Sequence, residues 1–142
     1  MDRKKKFARE SFTTMTEMVF PNDTNGFNGL MGGKLLYWMD VIAAIAGQKH
    51  SNSLVVTASV DNVSFSHPIR LGHVVILKAQ VTRAFNTSME VHIEVQATDV
   101  PNNKIVESHE AFFTMVAMDL SGKKVMVPEL IPETEKEKVL YD

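Results

Sequence analysis

Residues 88–97 alternate without a break: Met89, Val91, Ile93, Val95 and Ala97 fall on one side, Ser88, Glu90, His92, Glu94 and Gln96 on the other. A period of two predicts a strand with one face in a core and the other, His92 included, toward water. Runs rich in β-branched residues predict further strands at 54–65 (LVVTASVDNVSF), 73–84 (HVVILKAQVTRA) and 104–118, and residues 11–20 (SFTTMTEMVF) predict a first strand that stops at Pro21. Turn chemistry separates them at "HPIRLG", at "PNN" (101–103) and at "SGKK", and the Asn/Asp/Gly-rich stretch 21–33 reads as a loop. The period changes between 32 and 50. There Leu35, Trp38, Met39, Ile42, Ile45 and Ala46 recur at helical spacing, and the broad apolar coverage predicts a helix wrapped on most sides. One long early helix followed by a meander of about five antiparallel strands is an α+β pattern.

Length adds that 142 residues suffice for one domain with a substantial core. The expected division is a flexible basic tail over 1–9, a single domain over 10–128 and a charged tail over 129–142, loose or briefly helical. The net charge of −2, with no basic stripe beyond Arg3-Lys4-Lys5-Lys6, argues against a nucleic-acid partner. No apolar run approaches the ~20 residues of a membrane span, and no signal-peptide core follows the basic start, so a cytoplasmic, membrane-free protein is expected. The triplets beginning at Asn22, Asn62 and Asn86 then match the glycosylation pattern by chance. With no cysteine there is no disulfide framework and no thiol nucleophile. The histidines, at 50, 67, 73, 92 and 109, have no metal-ligand or triad spacing, so no metal site is expected. The nine methionines fit core positions, where the flexible thioether fills gaps.

Three features invite chemistry. "GLMGGK" (29–34) fails as a phosphate loop, because the required first glycine falls on Asn28 and Lys34 is followed by Leu35. Gly32 and Gly33 still open a helix, where unpaired N–H groups suit an oxyanion or a polarised carbonyl oxygen; a tight turn with close backbone packing is the alternative. Asp40 sits mid-helix, and its neighbours at three and four positions are Leu36, Tyr37, Ala43 and Ala44, none of them cationic. It either rides a thin solvated stripe or pairs with a distant cation, or it lines a crevice as a base or nucleophile. Asn25 is either a turn former or a donor of its amide N–H to a substrate carbonyl.

Four ordered blocks, "DTNGFNGLMGGKLLYWMDVIAAIAG" (23–47), "VVTASVDNVSFSHPIRLGHVV" (55–75), "TRAFNTSMEVHIEVQA" (82–97) and "AFFTMVAMDLSGKKVMVP" (111–128), resemble the cytosolic acyl-CoA hydrolases of the hotdog fold. The resemblance covers roughly residues 10–128. It implies a central helix wrapped by a curved antiparallel sheet of five to six strands, and a homodimer joined edge to edge, often assembled into a hexamer as a trimer of dimers. It implies hydrolysis of an acyl-CoA thioester between subunits, with no cofactor, since coenzyme A belongs to the substrate. The family's helix acid falls on Asp40, its loop asparagine on Asn25 and its Gly-Gly helix entrance on Gly32-Gly33. Two departures stand out: Val41 and His73 occupy positions where many members carry an acidic residue. Arg70, Arg83, Thr87 and Ser88 are the candidate contacts for the coenzyme A phosphates, with plain surface charge as the alternative for the arginines. The rival readings are an enoyl-thioester hydratase, a non-catalytic acyl-CoA sensor and an assembly module.

Overall fold

The structure, a computed structural model, describes residues 3–61, 63–64 and 67–141. Five strands form the main sheet: β2 (Thr13–Met18), β3 (Leu54–Val60), β4 (Val74–Ala84), β5 (Ser88–Asp99) and β6 (Lys104–Met118), in the order β2-β4-β5-β6-β3 with every pair antiparallel. The alternation in β5 is obeyed: Met89, Val91, Ile93, Val95 and Ala97 are all buried. Against that face lies α1 (Gly32–Ser51), which buries Leu35, Trp38, Met39, Ile42, Ala43 and Ala46. At Gly47 the helix packs directly on the sheet: a Cβ there would sit in ordinary contact with Val55 Cγ1 at 3.5 Å and Met115 Cβ at 3.6 Å. Asn52 ends the helix in the left-handed conformation (φ 54°), which asparagine tolerates better than most residues. This is the hotdog architecture, a long helix clasped by a curled antiparallel sheet.

Three expectations are corrected. The strand expected over 54–65 ends at Val60; Asn62 and Phe65, the latter the end of that expected strand, lie outside the described residues. The termini are not loose tails throughout. β1 (Lys5–Phe7) pairs in parallel with β7 (Glu129–Ile131), and Ala8 and Leu130 are buried; beyond β7 the brief helix expected near the C-terminus is α2 (Glu135–Tyr141), which lies against β4 and β5, with Gln80 Nε2 donating to Glu137 Oε2 at 2.8 Å. The charges that suggest solvated tails in fact flank short apolar anchors. His92, expected in water, is buried: its Nε2 lies 2.8 Å from Glu110 Oε2 and its ring packs on Phe112.

His50, at the last turn of α1, is fully buried. Its Nε2 lies 2.7 Å from Pro128 O, so the neutral ring donates to that carbonyl, and Nδ1 has no partner among the described residues. Burial first, then the nearby cations Lys6 and Arg3, push its pKa below the ordinary 6.5, against the carbonyl and Glu10. Below pH 6.5 the unfolded chain takes up a proton that the folded one refuses, so stability falls on acidification in that window. Glu94 and Glu137, whose pKa values are also lowered, act only below their ordinary 4.5. Expected outcome: the Tm of wild type drops between pH 7.5 and 5.5, and His50→Gln flattens that drop. Identical pH slopes for both proteins would contradict this account of His50.

Candidate active site

Asp40 is half-buried, two turns into α1. Its partner is not a cation. Thr57 Oγ1, on β3, donates to Asp40 Oδ1. The register of β3 against β6 shifts between Thr57 and Ser59, a bulge beside the carboxylate. Bulges of this kind re-aim side chains next to active sites. Sequence reasoning missed Thr57, which looks like any β-branched strand residue. β3 is also an edge strand, so its outer rim has no partner in the sheet.

Asn25 sits in a fastened loop. Its Oδ1 accepts from Phe27 N at 2.9 Å and from Gly29 N at 3.2 Å. Two N–H donors fix which amide atom is the oxygen, and they occupy it. Asn25 is exposed, and the Nδ2 hydrogens are what it has left to offer. The loop is tied to the helix behind it. Met31 N donates to Asp23 O, the buried Asp23 carboxylate caps Phe20 N, and Lys34 Nζ lies 3.6 Å from Asp23 Oδ1.

At the helix entrance, Lys34 N and Leu35 N both turn back to Met31 O. Gly32 N and Gly33 N precede them and have no intrahelical carbonyl to reach. Both glycines are exposed, and a Cβ on either would meet nothing within 4 Å. Close packing within this chain therefore does not account for the pair. The two glycines open α1, and Asn25 lies in the loop that leads into it. Asp40 lies eight residues along the helix, about 12 Å at 1.5 Å per residue. A reacting carbonyl needs its base and its oxyanion donors each within about 3–3.5 Å.

The residues expected to hold phosphates divide differently. Arg70 Nη1 donates to Phe27 O at 2.8 Å, so this arginine braces the Asn25 loop. Arg83 lies over the Phe85 ring at 5.6 Å, with Thr87 and Ser88 close by in the β4–β5 hairpin. Arg70 precedes β4 and Arg83 is near its far end, so the 11-residue strand, about 35 Å long, separates them. Among the described residues no group of three or more His, Asp or Glu is arranged to hold a metal, and no helix is long and apolar enough to cross a membrane.

The fold is a hotdog with a half-buried helix carboxylate, an unpaired edge strand and a helix entrance with free N–H groups. Comparison with known proteins places it further. Residues 27–101 match the Thioesterase superfamily, and the chain belongs to that family. It is 40% identical over 137 residues to a Bacillus subtilis protein named as an uncharacterized acyl-CoA thioester hydrolase, covering 96% of this chain and 80% of the relative. It superposes on an acyl-CoA hydrolase of Staphylococcus aureus, solved with butyryl coenzyme A and coenzyme A, at a TM-score of 0.88 and 40% identity, covering 97% and 84% of the two chains. A hexameric acyl-CoA thioesterase gives a TM-score of 0.92 at 41% identity, covering 97% and 88%. Of the S. aureus enzyme, variants in which one asparagine, one aspartate and one threonine are each replaced by alanine have also been solved. Those residues lie 15 and then 17 positions apart.

Proposed function

We propose that this chain hydrolyses acyl-CoA thioesters to a carboxylic acid and coenzyme A, at a site shared between two copies. The single observation that carries the reading is the separation, along α1, of Asp40 from the N–H groups of Gly32 and Gly33 at its entrance. Asp40 Oδ1 accepts from Thr57, which leaves Oδ2 as the oxygen to take a proton from water. That water attacks the thioester carbonyl, whose developing oxyanion lies against Asn25 Nδ2 and the N–H groups of Gly32 and Gly33 of the other copy. Collapse of the intermediate expels coenzyme A as its thiol, with the proton returned from Asp40. A thioester is already activated, so neither a metal nor an organic cofactor is required.

A second copy would cover what this one leaves exposed. One protomer leaves part of the clasped helix bare: Leu36, Tyr37 and Ile45 on α1 are exposed, as are Leu54, Val56 and Val60 on β3. An unpaired apolar edge strand beside an apolar helix face suits pairing with its own copy. The hexameric relative supports assembly of this kind. Asn25, Asp40 and Thr57 also repeat the order and both spacings of the three residues replaced in the S. aureus enzyme.

The test is release of free thiol from a panel of acyl-CoAs. Turnover of at least one of them is expected. Hydration of a crotonyl-type thioester without thiol release would favour the hydratase, and tight coenzyme A binding with no turnover would favour the sensor. Thr57→Val keeps the shape and β-propensity but removes the hydroxyl that orients Asp40. We expect kcat to fall roughly ten- to a hundredfold, the scale of one hydrogen bond to a charged group, with Tm nearly unchanged. An unchanged kcat would remove Thr57 from the site.

A further inference from the structure

We propose that Arg70 is a positioning residue for Asn25, fixing the carboxamide through the backbone of the loop rather than holding a phosphate. The inference rests on the hydrolase reading above.

Both ends of the strap are visible. On the loop side, Arg70 Nη1 donates to Phe27 O at 2.8 Å, while Phe27 N donates to Asn25 Oδ1 at 2.9 Å. The guanidinium thus grips the carbonyl of the very residue whose N–H grips the carboxamide. On the anchor side, residues 70–73 close into a turn, with His73 N donating to Arg70 O at 3.1 Å and Arg70 N donating to His73 Nδ1 at 2.9 Å. Gly72 N donates to Val19 O and Val19 N to His73 O, which ties the turn to the end of β2 beside the buried Val19. Leu30 N–Ile69 O and Leu71 N–Asn28 O complete the seam between turn and loop.

The loop needs such a strap because its tip packs on little. Phe27 is 84% exposed, a Cβ on Gly26 would meet nothing within 4 Å, and Asn28 is held at φ 59°. A carboxamide that must meet an oxyanion within a few tenths of an ångström loses rate steeply when its support moves. Sequence alone hides the role, because the acceptor is a backbone carbonyl 43 residues away.

The experiment is steady-state thiol release by the full chain, using the fastest acyl-CoA of the panel, for wild type, Arg70→Ala, Asn25→Ala and the double variant. Arg70→Ala is expected to lower kcat about ten- to a hundredfold while KM changes less than about threefold. In the Asn25→Ala background the same substitution should lower kcat by less than about threefold, since its effect passes through Asn25. Arg70→Lys, which keeps a donor but not the fork, should show the same kcat-only pattern in milder form, and it serves if the alanine variant does not fold. A KM raised about tenfold or more with kcat intact, an equal fractional loss in both backgrounds, or wild-type kinetics in Arg70→Ala would each overturn the proposal. Wild-type kcat in Asn25→Ala would instead sink the hydrolase site itself. A normal Asn25 loss joined to an additive Arg70 loss sinks only the role of Arg70.

Discussion

Asp40→Asn lowers kcat for acyl-CoA hydrolysis by roughly a hundred- to ten-thousandfold, the range a positioned general base supplies. The substitution is nearly isosteric. Its side-chain oxygen still accepts from Thr57, so the bulged strand and the helix keep their relation and Tm should hold. What disappears is a site that can take a proton from water at neutral pH. KM should change little, because the carboxylate is assigned to the chemistry and not to binding. Thiol release by wild type and variant, alongside thermal melts, checks this. Equal turnover by the two folded proteins would end the role of Asp40.

Asn25→Ala should cost roughly a hundred- to a thousandfold in kcat, about 3–4 kcal/mol of barrier, as for a lost oxyanion donor. Alanine also strips the acceptor that holds Phe27 N and Gly29 N, so part of that loss could be attributed to a loosened loop. Asn25→Asp separates the two effects. Its oxygen still accepts from both N–H groups, yet it offers no donor and sets a negative charge opposite the oxyanion. The aspartate variant is therefore expected to be at least as impaired as the alanine variant while folding normally. A rate within twofold of wild type for either would count against the donor role.

Much of the fold is legible in the sequence, and the legible parts share a cause. The core face of β5 and the buried stripe of α1 follow from periodicity, which depends only on which positions meet the core. Asp40 stood out because a carboxylate without a helical partner breaks that pattern. Other features depend on contacts that residue type does not encode. Thr57 reaches Asp40 across 17 residues through a bulged strand, and a bulge interrupts the period from which strands are read. The pairing of Lys5–Phe7 with Glu129–Ile131 joins segments whose charges suggest solvation, because only the chain's ends, brought together, make it a ladder. His92 looked solvated because alternation assigns it a face but cannot tell that Glu110 and Phe112 cover it there. The exposed side of α1 was unreadable for the opposite reason: its apolar residues are real, but nothing in one copy covers them.

The claim that matters most is that two chains share each site, and a mixing experiment tests it directly. Asp40→Ala and Asn25→Ala, each nearly inactive alone, are co-expressed at equal levels and assayed for thiol release. If sites form between copies, half of the dimers are mixed, and each mixed dimer has one site with both groups intact and one with neither. The mixture should then recover about a quarter of the wild-type rate, whether or not dimers assemble further. A mixture no more active than its two components, in preparations where mixed dimers are present, would place base and donors in one chain and contradict the account.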